Sequence, residues 1–282
     1  MSNVKALRNR IKSVKSTQKI TKAMRMVSAA KLHRAKDSAE FAGIYREKIL
    51  SILNASKNSI DASELSLLTK SMMFESDDYK KTIIILYGSD RGLCGAYNSN
   101  ILKKIRKEIK TFPNVKLLTI GKKIGELSEK LHHSEININI SNNPSEVSKT
   151  VRDFILSELE TEPSTQVLAY YTKFKNTLTQ IPTALRLIPI EERNITEKVN
   201  LSIEFEGENL IEKLSELYIE SNIVANLYES KASEEASRMT AMDNATRNAG
   251  DMIQKLTLKM NRTRQAQITK ELIEVISGAE AV

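Results

Sequence analysis

The placement of proline constrains this chain most. All five prolines lie between Pro113 and Pro189, so the first 112 residues and the last 93 contain none. Proline removes a backbone donor and clashes with the preceding turn of a helix. Both ends are therefore free to form long helices, and the turns are confined to the middle. Charge divides the chain at similar places. Residues 1–57 carry 14 Lys and Arg against 3 Asp and Glu, residues 58–207 carry 20 against 20, and residues 208–282 carry 9 against 12. The net charge of +8 thus resides on the first segment, which holds eleven basic residues and no acidic one from Lys5 to Lys36. The expected division is an N-terminal helix over 1–57, a central domain over 58–207 and a C-terminal helix over 208–282. Aromatic residues at 5%, with no Trp, and charged residues at 28% suit long amphipathic helices better than a large enzyme core.

Apolar spacing supports the two helices. Val4, Leu7, Ile11 and Val14 step by 3, 4 and 3, and Ile20, Met24 and Val27 by 4 and 3, with a phase slip between the two sets. At the other end Met239, Met242, Thr246, Ala249, Ile253, Leu256, Met260, Thr263 and Gln267 alternate steps of 3 and 4 without error. Ile268, Leu272, Val275 and Ala279 continue one residue out of register. Two long helices at opposite ends of one chain pair most simply as a long antiparallel two-helix coiled coil. Between them, β-rich apolar runs at Thr82–Tyr87, Val115–Ile120, Ile136–Ile140, Val167–Thr172 and Leu178–Ile190 alternate with helical stretches at Asn98–Lys110, Lys122–His132 and Pro144–Glu160. This predicts a central Rossmann-like α/β domain on a largely parallel sheet, its last two strands forming a hairpin.

The stretch "GSDRGLCGA" (88–96) follows the first strand and precedes a helix, the place of a phosphate-binding loop. It lacks the Lys-Ser/Thr pair of that loop, and its glycines have the wrong spacing for a dinucleotide fingerprint. Cys94 as a nucleophile would need a base, and the chain has only His33, His132 and His133. A buried structural thiol is the simpler reading, and Asp90–Arg91 reads as a salt-bridged turn. One cysteine permits no internal disulfide and no multi-cysteine metal site. No metal, cofactor or catalytic residue is expected. No run of about 18 apolar residues marks a membrane span, and the N-terminus has neither the apolar core of a secretory signal nor, given its sustained periodicity, the character of a transit peptide. The basic first helix admits an alternative, a coiled-coil nucleic-acid-binding protein. Its bases, however, interleave with an apolar seam instead of lying beside one, so no nucleic acid is expected.

Three stretches resemble the γ subunit of F-type ATP synthase: "RIKSVKSTQKITKAMRMVSAAK" (10–31), "SDRGLCGAYN" (89–98), where Ala96 stands in place of a frequent glycine, and "RQAQITKELIEVISGAEAV" (264–282). The resemblance implies a rotor shaft whose paired helices sit within three α and three β subunits. It also implies that the α/β domain docks, with the ε subunit, on the membrane ring of c subunits, and that the catalytic chemistry belongs to other chains. Lys22, Met24, Arg25, Arg238, Gln265, Thr269, Glu271 and Glu274 match residues that couple rotation to catalysis. Phe205, Glu206 and Glu208 match the footing on the c ring and ε. Asp90, Arg91, Gly92 and Gly95 form the central turn, with Gly92 and Gly95 supplying backbone freedom. Residues 268–282 suit a tip seated in an apolar collar. The redox-regulated chloroplast form carries a cysteine pair that this sequence lacks, which points to a bacterial complex on the inner face of the plasma membrane.

Overall fold

A computed structural model describes residues 2–57, 65–75, 78–131, 134–138, 143–190 and 210–280. The chain divides into two compact units, one of Met1–Ser28 with Arg238–Val282 and one of Ala29–Ser237. The first helix, α1 (Ser2–Lys57), and the last, α6 (Leu210–Glu280), contribute to both.

The larger unit holds a five-stranded sheet: β1 (Lys81–Tyr87), β2 (Val115–Ile120), β3 (Ser134–Ile138), β4 (Thr165–Phe174) and β5 (Gln180–Ile188). The spatial order is β3-β2-β1-β4-β5, parallel except for β5, which runs antiparallel to β4. The hairpin turn closes on Asn176, whose Oδ1 accepts from the backbone N–H groups of Leu178 and Thr179 at 3.0 and 2.7 Å. β1 is buried along its whole length, as a central strand covered on both faces must be. Ile84 and Leu86 face one layer, where Ile101, Leu102 and Ile105 of α3 (Tyr97–Glu108) and Ile124 of α4 (Lys122–Ser128) pack. Ile83, Ile85 and Tyr87 face the other. That layer holds Val147, Val151, Ile155 and Leu159 of α5 (Pro144–Thr161), Ile49, Leu50 and Leu53 of α1, and Ile219, Ile223 and Leu227 of α6. The unit is doubly wound, with helices on both faces.

One element escapes the sequence reading. The helix α2 (Leu67–Met73) begins at Ser66, whose hydroxyl accepts from the Thr69 N–H at 3.1 Å and so satisfies a first-turn donor. The same hydroxyl reaches Glu212 of α6 at 3.0 Å. The expected strand end at residues 139–140 lies outside the described residues.

In the smaller unit α1 and α6 pair antiparallel. Thr21 Oγ1 lies 2.8 Å from Thr246 Oγ1, and Arg25 Nη1 lies 3.2 Å from Asp243 Oδ1, so the partner's number falls as the first rises. The inward row of α1 is Leu7, Ile11, Val14, Gln18, Thr21, Arg25 and Ser28, stepping 4, 3, 4, 3, 4 and 3. The expected phase slip is therefore absent. The seam passes through polar residues, while Ile20 and Val27 stand 57% and 54% exposed. On α6 the expected row from Met239 to Gln267 is buried or half-buried throughout, and the described side chains from Ile268 onward are exposed. The break of register after Gln267 falls where the buried row of α6 ends.

Near the C-terminal end of α5, Glu158 accepts from Lys116 Nζ at 2.8 Å and is paired with Lys81 Nζ. Burial alone would raise this carboxyl, but the two lysine hydrogen bonds and charges outweigh it and hold the group below its ordinary range. A depressed folded-state value stabilises the protein above the unfolded value and is lost as pH falls through the folded one. Glu158→Gln is expected to cost roughly 1–3 kcal/mol at neutral pH by leaving two partly buried lysines without their carboxylate. Denaturant unfolding at pH 7 and pH 3 tests this: the gap between variant and parent should narrow at the acidic end.

Candidate functional site at the strand ends

In a doubly wound sheet the natural ligand crevice lies beyond the carboxyl ends of the strands where the winding reverses, here between β1 and β4. The loop 88–96 leaves β1 at that crevice, so its chemistry decides whether the crevice binds anything.

The two ends of the "SDRGLCGAYN" motif are joined. Asn98 Oδ1 accepts from the Ser89 backbone N–H at 3.2 Å, and Asn98 Nδ2 donates to Ser89 Oγ at 2.7 Å, all of it buried. Gly88 is required by space: a Cβ there would lie 2.2 Å from the Ile124 Cβ. Gly121 adopts φ +121° with its own would-be Cβ 2.8 Å from the Gly88 carbonyl oxygen, so the β1 and β2 turns press on each other. Asp90 lies in the turn without the expected salt bridge to Arg91. Its Oδ1 accepts at 3.1 Å from the backbone N–H of Lys122, a first-turn donor of α4, while Arg91 is exposed. Gly95 takes the left-handed conformation at φ 60°, and the second left-handed residue is Leu93 at φ 64°. Gly92 has no positive φ and nothing within 4 Å of a would-be Cβ, which corrects the role expected for it. Cys94 is buried with its Sγ 3.6 Å from Ser89 Oγ. His33 is exposed on α1, 3.2 Å from Asp37, and His132 and His133 lie outside the described residues. The thiol packs as a structural group.

The crevice is filled by α6. Ser233 Oγ donates to the Thr172 carbonyl near the end of β4 at 2.8 Å, and Ser237 Oγ donates to the Cys94 carbonyl at 2.7 Å. In the reverse direction Tyr97 Oη, at the start of α3, donates to the Ser230 carbonyl at 3.1 Å. Ala232 and Ala236, fully buried, let the helix come close. Burial pushes the Tyr97 phenol well above its ordinary range, so it remains a neutral donor. No pair of nucleophile and base is assembled here; the Ser89 N–H is engaged by Asn98 and the Cys94 carbonyl by Ser237. Among the described residues no group of three or more metal-ligating side chains occurs. Elsewhere on this unit an open groove of about 770 Å³ runs between α1, β4, β5 and α6, lined by Lys36, Arg46, Lys173 and Glu229 among others. It mixes both signs of charge.

The residues expected to couple rotation fall on the smaller unit in two groups. Lys22 is exposed, Met24 half-buried, and Arg25 bound to Asp243. Gln265, Thr269, Glu271 and Glu274 are exposed roughly 30 Å or more further along α6 at 1.5 Å per residue. Gln267 donates to Glu271 at 3.1 Å and Lys270 pairs with Glu274 at 3.6 Å, both along the helix surface. Arg238 is buried. Phe205, Glu206 and Glu208 lie outside the described residues. Sequence reasoning missed Gln18, Thr21 and Asp243 in the helix pair, and Tyr97, Ser230, Ser233 and Ser237 at the crevice. The 3- and 4-residue spacing of the three serines was the available signal.

Gly88→Val is expected to destabilise the fold by roughly 1–3 kcal/mol, since Ile124 must move, whereas Gly92→Ala should stay within about 0.5 kcal/mol. Thermal unfolding of the two variants tests the contrast; equal shifts would contradict it.

Residues 3–282 match the family model described as ATP synthase. ATP synthase gamma chains of Rickettsia felis and Rickettsia canadensis are each 43% identical over 290 aligned positions, covering all of both chains. Among solved structures, a chain of the Euglena gracilis mitochondrial ATP synthase rotor aligns at 16% identity and a TM-score of 0.64, covering 95% of this chain and 99% of that one. A chain from the OSCP/F1/c-ring structure of the same enzyme reaches 0.68 at 17% identity, covering 99% and 94%. At those identities the structures speak for the fold.

Proposed function

The chain belongs to the family of ATP synthase gamma chains, and from that premise we propose that it is the rotor shaft of a proton-transporting ATP synthase. The gamma chain is a non-catalytic component; the catalytic sites lie in the beta subunits. The observation that carries the reading is end-to-end similarity to gamma chains, in a chain whose two terminal helices pair antiparallel. Its partners are three α and three β subunits, the ε subunit and the c ring. Rotation driven by proton flow through the c ring is delivered to the β sites in turn. The basic face of α1, with Arg8, Lys12, Lys15, Lys19 and Lys22 exposed, suits acidic loops at the base of the β subunits. Lys22, Met24 and Arg25 form one coupling contact, and Arg238, Gln265, Thr269, Glu271 and Glu274 contribute others. The exposed Ile268, Leu272, Ile273, Val275 and Ile276 form an apolar tip suited to a collar of partner subunits. Phe205, Glu206 and Glu208 are proposed for the footing on the c ring and ε.

Among the described residues no helix is long and apolar enough to cross a membrane. The proposed membrane association is peripheral, through the complex. The curated relatives are bacterial, and the proposed location is accordingly the cytoplasmic face of the inner membrane. The alternative of a nucleic-acid-binding protein has no support among the relatives.

Purification of the tagged chain from membranes should bring α and β subunits and ATPase activity with it; recovery of the chain without them would contradict the proposal. Met24→Lys, a charge placed at a half-buried position beside the seam, should reduce ATP-driven proton pumping more than ATP hydrolysis. Equal losses would show that Met24 serves assembly alone.

A further inference from the structure

Within the larger unit α6 is held in two different ways. From Ile211 to Leu227 it packs through Ile211, Tyr218, Ile219, Ile223 and Leu227 into the apolar layer under the sheet, with polar ties at Glu212 to Ser66, at Glu220 to Arg152 and at the Ile223 carbonyl to the Tyr87 phenol. From Ser230 to Ser237 its contacts with the strand ends are directional: the Tyr97 phenol on the Ser230 carbonyl, the Ser233 hydroxyl on the Thr172 carbonyl and the Ser237 hydroxyl on the Cys94 carbonyl. Ser237 is also the last residue of that unit. Apolar contact is non-directional and tolerates rotation of a helix about its own axis, whereas a hydrogen bond weakens steeply when its angle changes. Three such bonds at spacings of 3 and 4 lie on one helical face and fix its azimuth.

We propose that this hydroxyl clasp is the torque joint of the chain: Tyr97, Ser233 and Ser237 are positioning residues that lock the rotational phase of α6 to the sheet as the helix leaves the unit. The motif 89–98 is then the clasp's fixed jaw. Its ends are tied by Ser89 and Asn98, its outer side is pinned to α4 through Asp90, and it presents the Cys94 carbonyl and the Tyr97 phenol to the helix. The inference rests on the rotor reading, which fails separately if the chain does not co-purify with α and β subunits.

The test uses the assembled membrane complex carrying Tyr97→Phe together with Ser237→Ala, which removes two of the three bonds while keeping the buried ring. ATP hydrolysis is expected to stay within about twofold of the parent, and protons pumped per ATP to fall about threefold or more as the directional bonds are lost. Ser237→Thr restores a hydroxyl at a half-buried position and, combined with the same Tyr97→Phe change, should recover part of the pumping. Unchanged pumping would overturn the proposal. So would pumping and hydrolysis falling together with the yield of complex, the signature of a merely structural contact, or a threonine variant no better than alanine.

Discussion

A buried backbone carbonyl must find a donor, in a ladder or elsewhere. Related doubly wound folds can meet that need with a ligand or with water in the crevice. This chain meets it with a helix. The hydroxyls of Ser233 and Ser237 reach the Thr172 and Cys94 carbonyls, and Ala232 and Ala236 leave room for the approach. Placing α6 there has two consequences at once. The helix stands where a nucleotide would be sought, and its residues Ser230–Ser237 are mounted on the sheet. A loop in the position of a phosphate cradle thus becomes a mount.

The helix pair obeys a different rule. Between Gln18 and Arg25 the seam of α1 is polar, and it meets Thr246 and Asp243 through hydrogen bonds and an ion pair. Gly250 admits the Gln18 side chain, whose Nε2 would sit 3.2 Å from a Cβ at that position. Polar groups at inward positions of a coiled coil cost stability and define register. The apolar residues that a hydrophobic reading would place inward, Ile20 and Val27, face outward instead. Outward apolar groups on a basic helix suit a surface for other subunits, as the proposed shaft requires.

The strands were legible because each is a short apolar run bounded by turn residues, and β2 begins and ends where that run does. The α6 seam was legible because Ala, Met, Leu and Ile, with one Thr among them, keep one phase from Met239 to Met260. The α1 seam was legible only as far as Val14, because pattern reading follows apolar residues and beyond it the inward side chains are Gln18, Thr21 and Arg25. The α2 helix was hidden because it is short, seven residues, and its start depends on one serine cap. The clasp was hidden for another reason. Its acceptors are backbone carbonyls, which every residue possesses, so no residue type on the accepting side announces them. Asp90 shows the same effect: its partner is the Lys122 backbone N–H and not the adjacent arginine.

If α6 occupies the crevice that a nucleotide would need, the purified chain has no place left for one. Titration calorimetry of that chain with magnesium ATP is the most direct test. No saturable binding is expected, nothing tighter than about 1 mM. Micromolar binding that Ser237→Ala strengthens would contradict the occupied crevice, because it would then be open to a ligand that the helix merely obstructs.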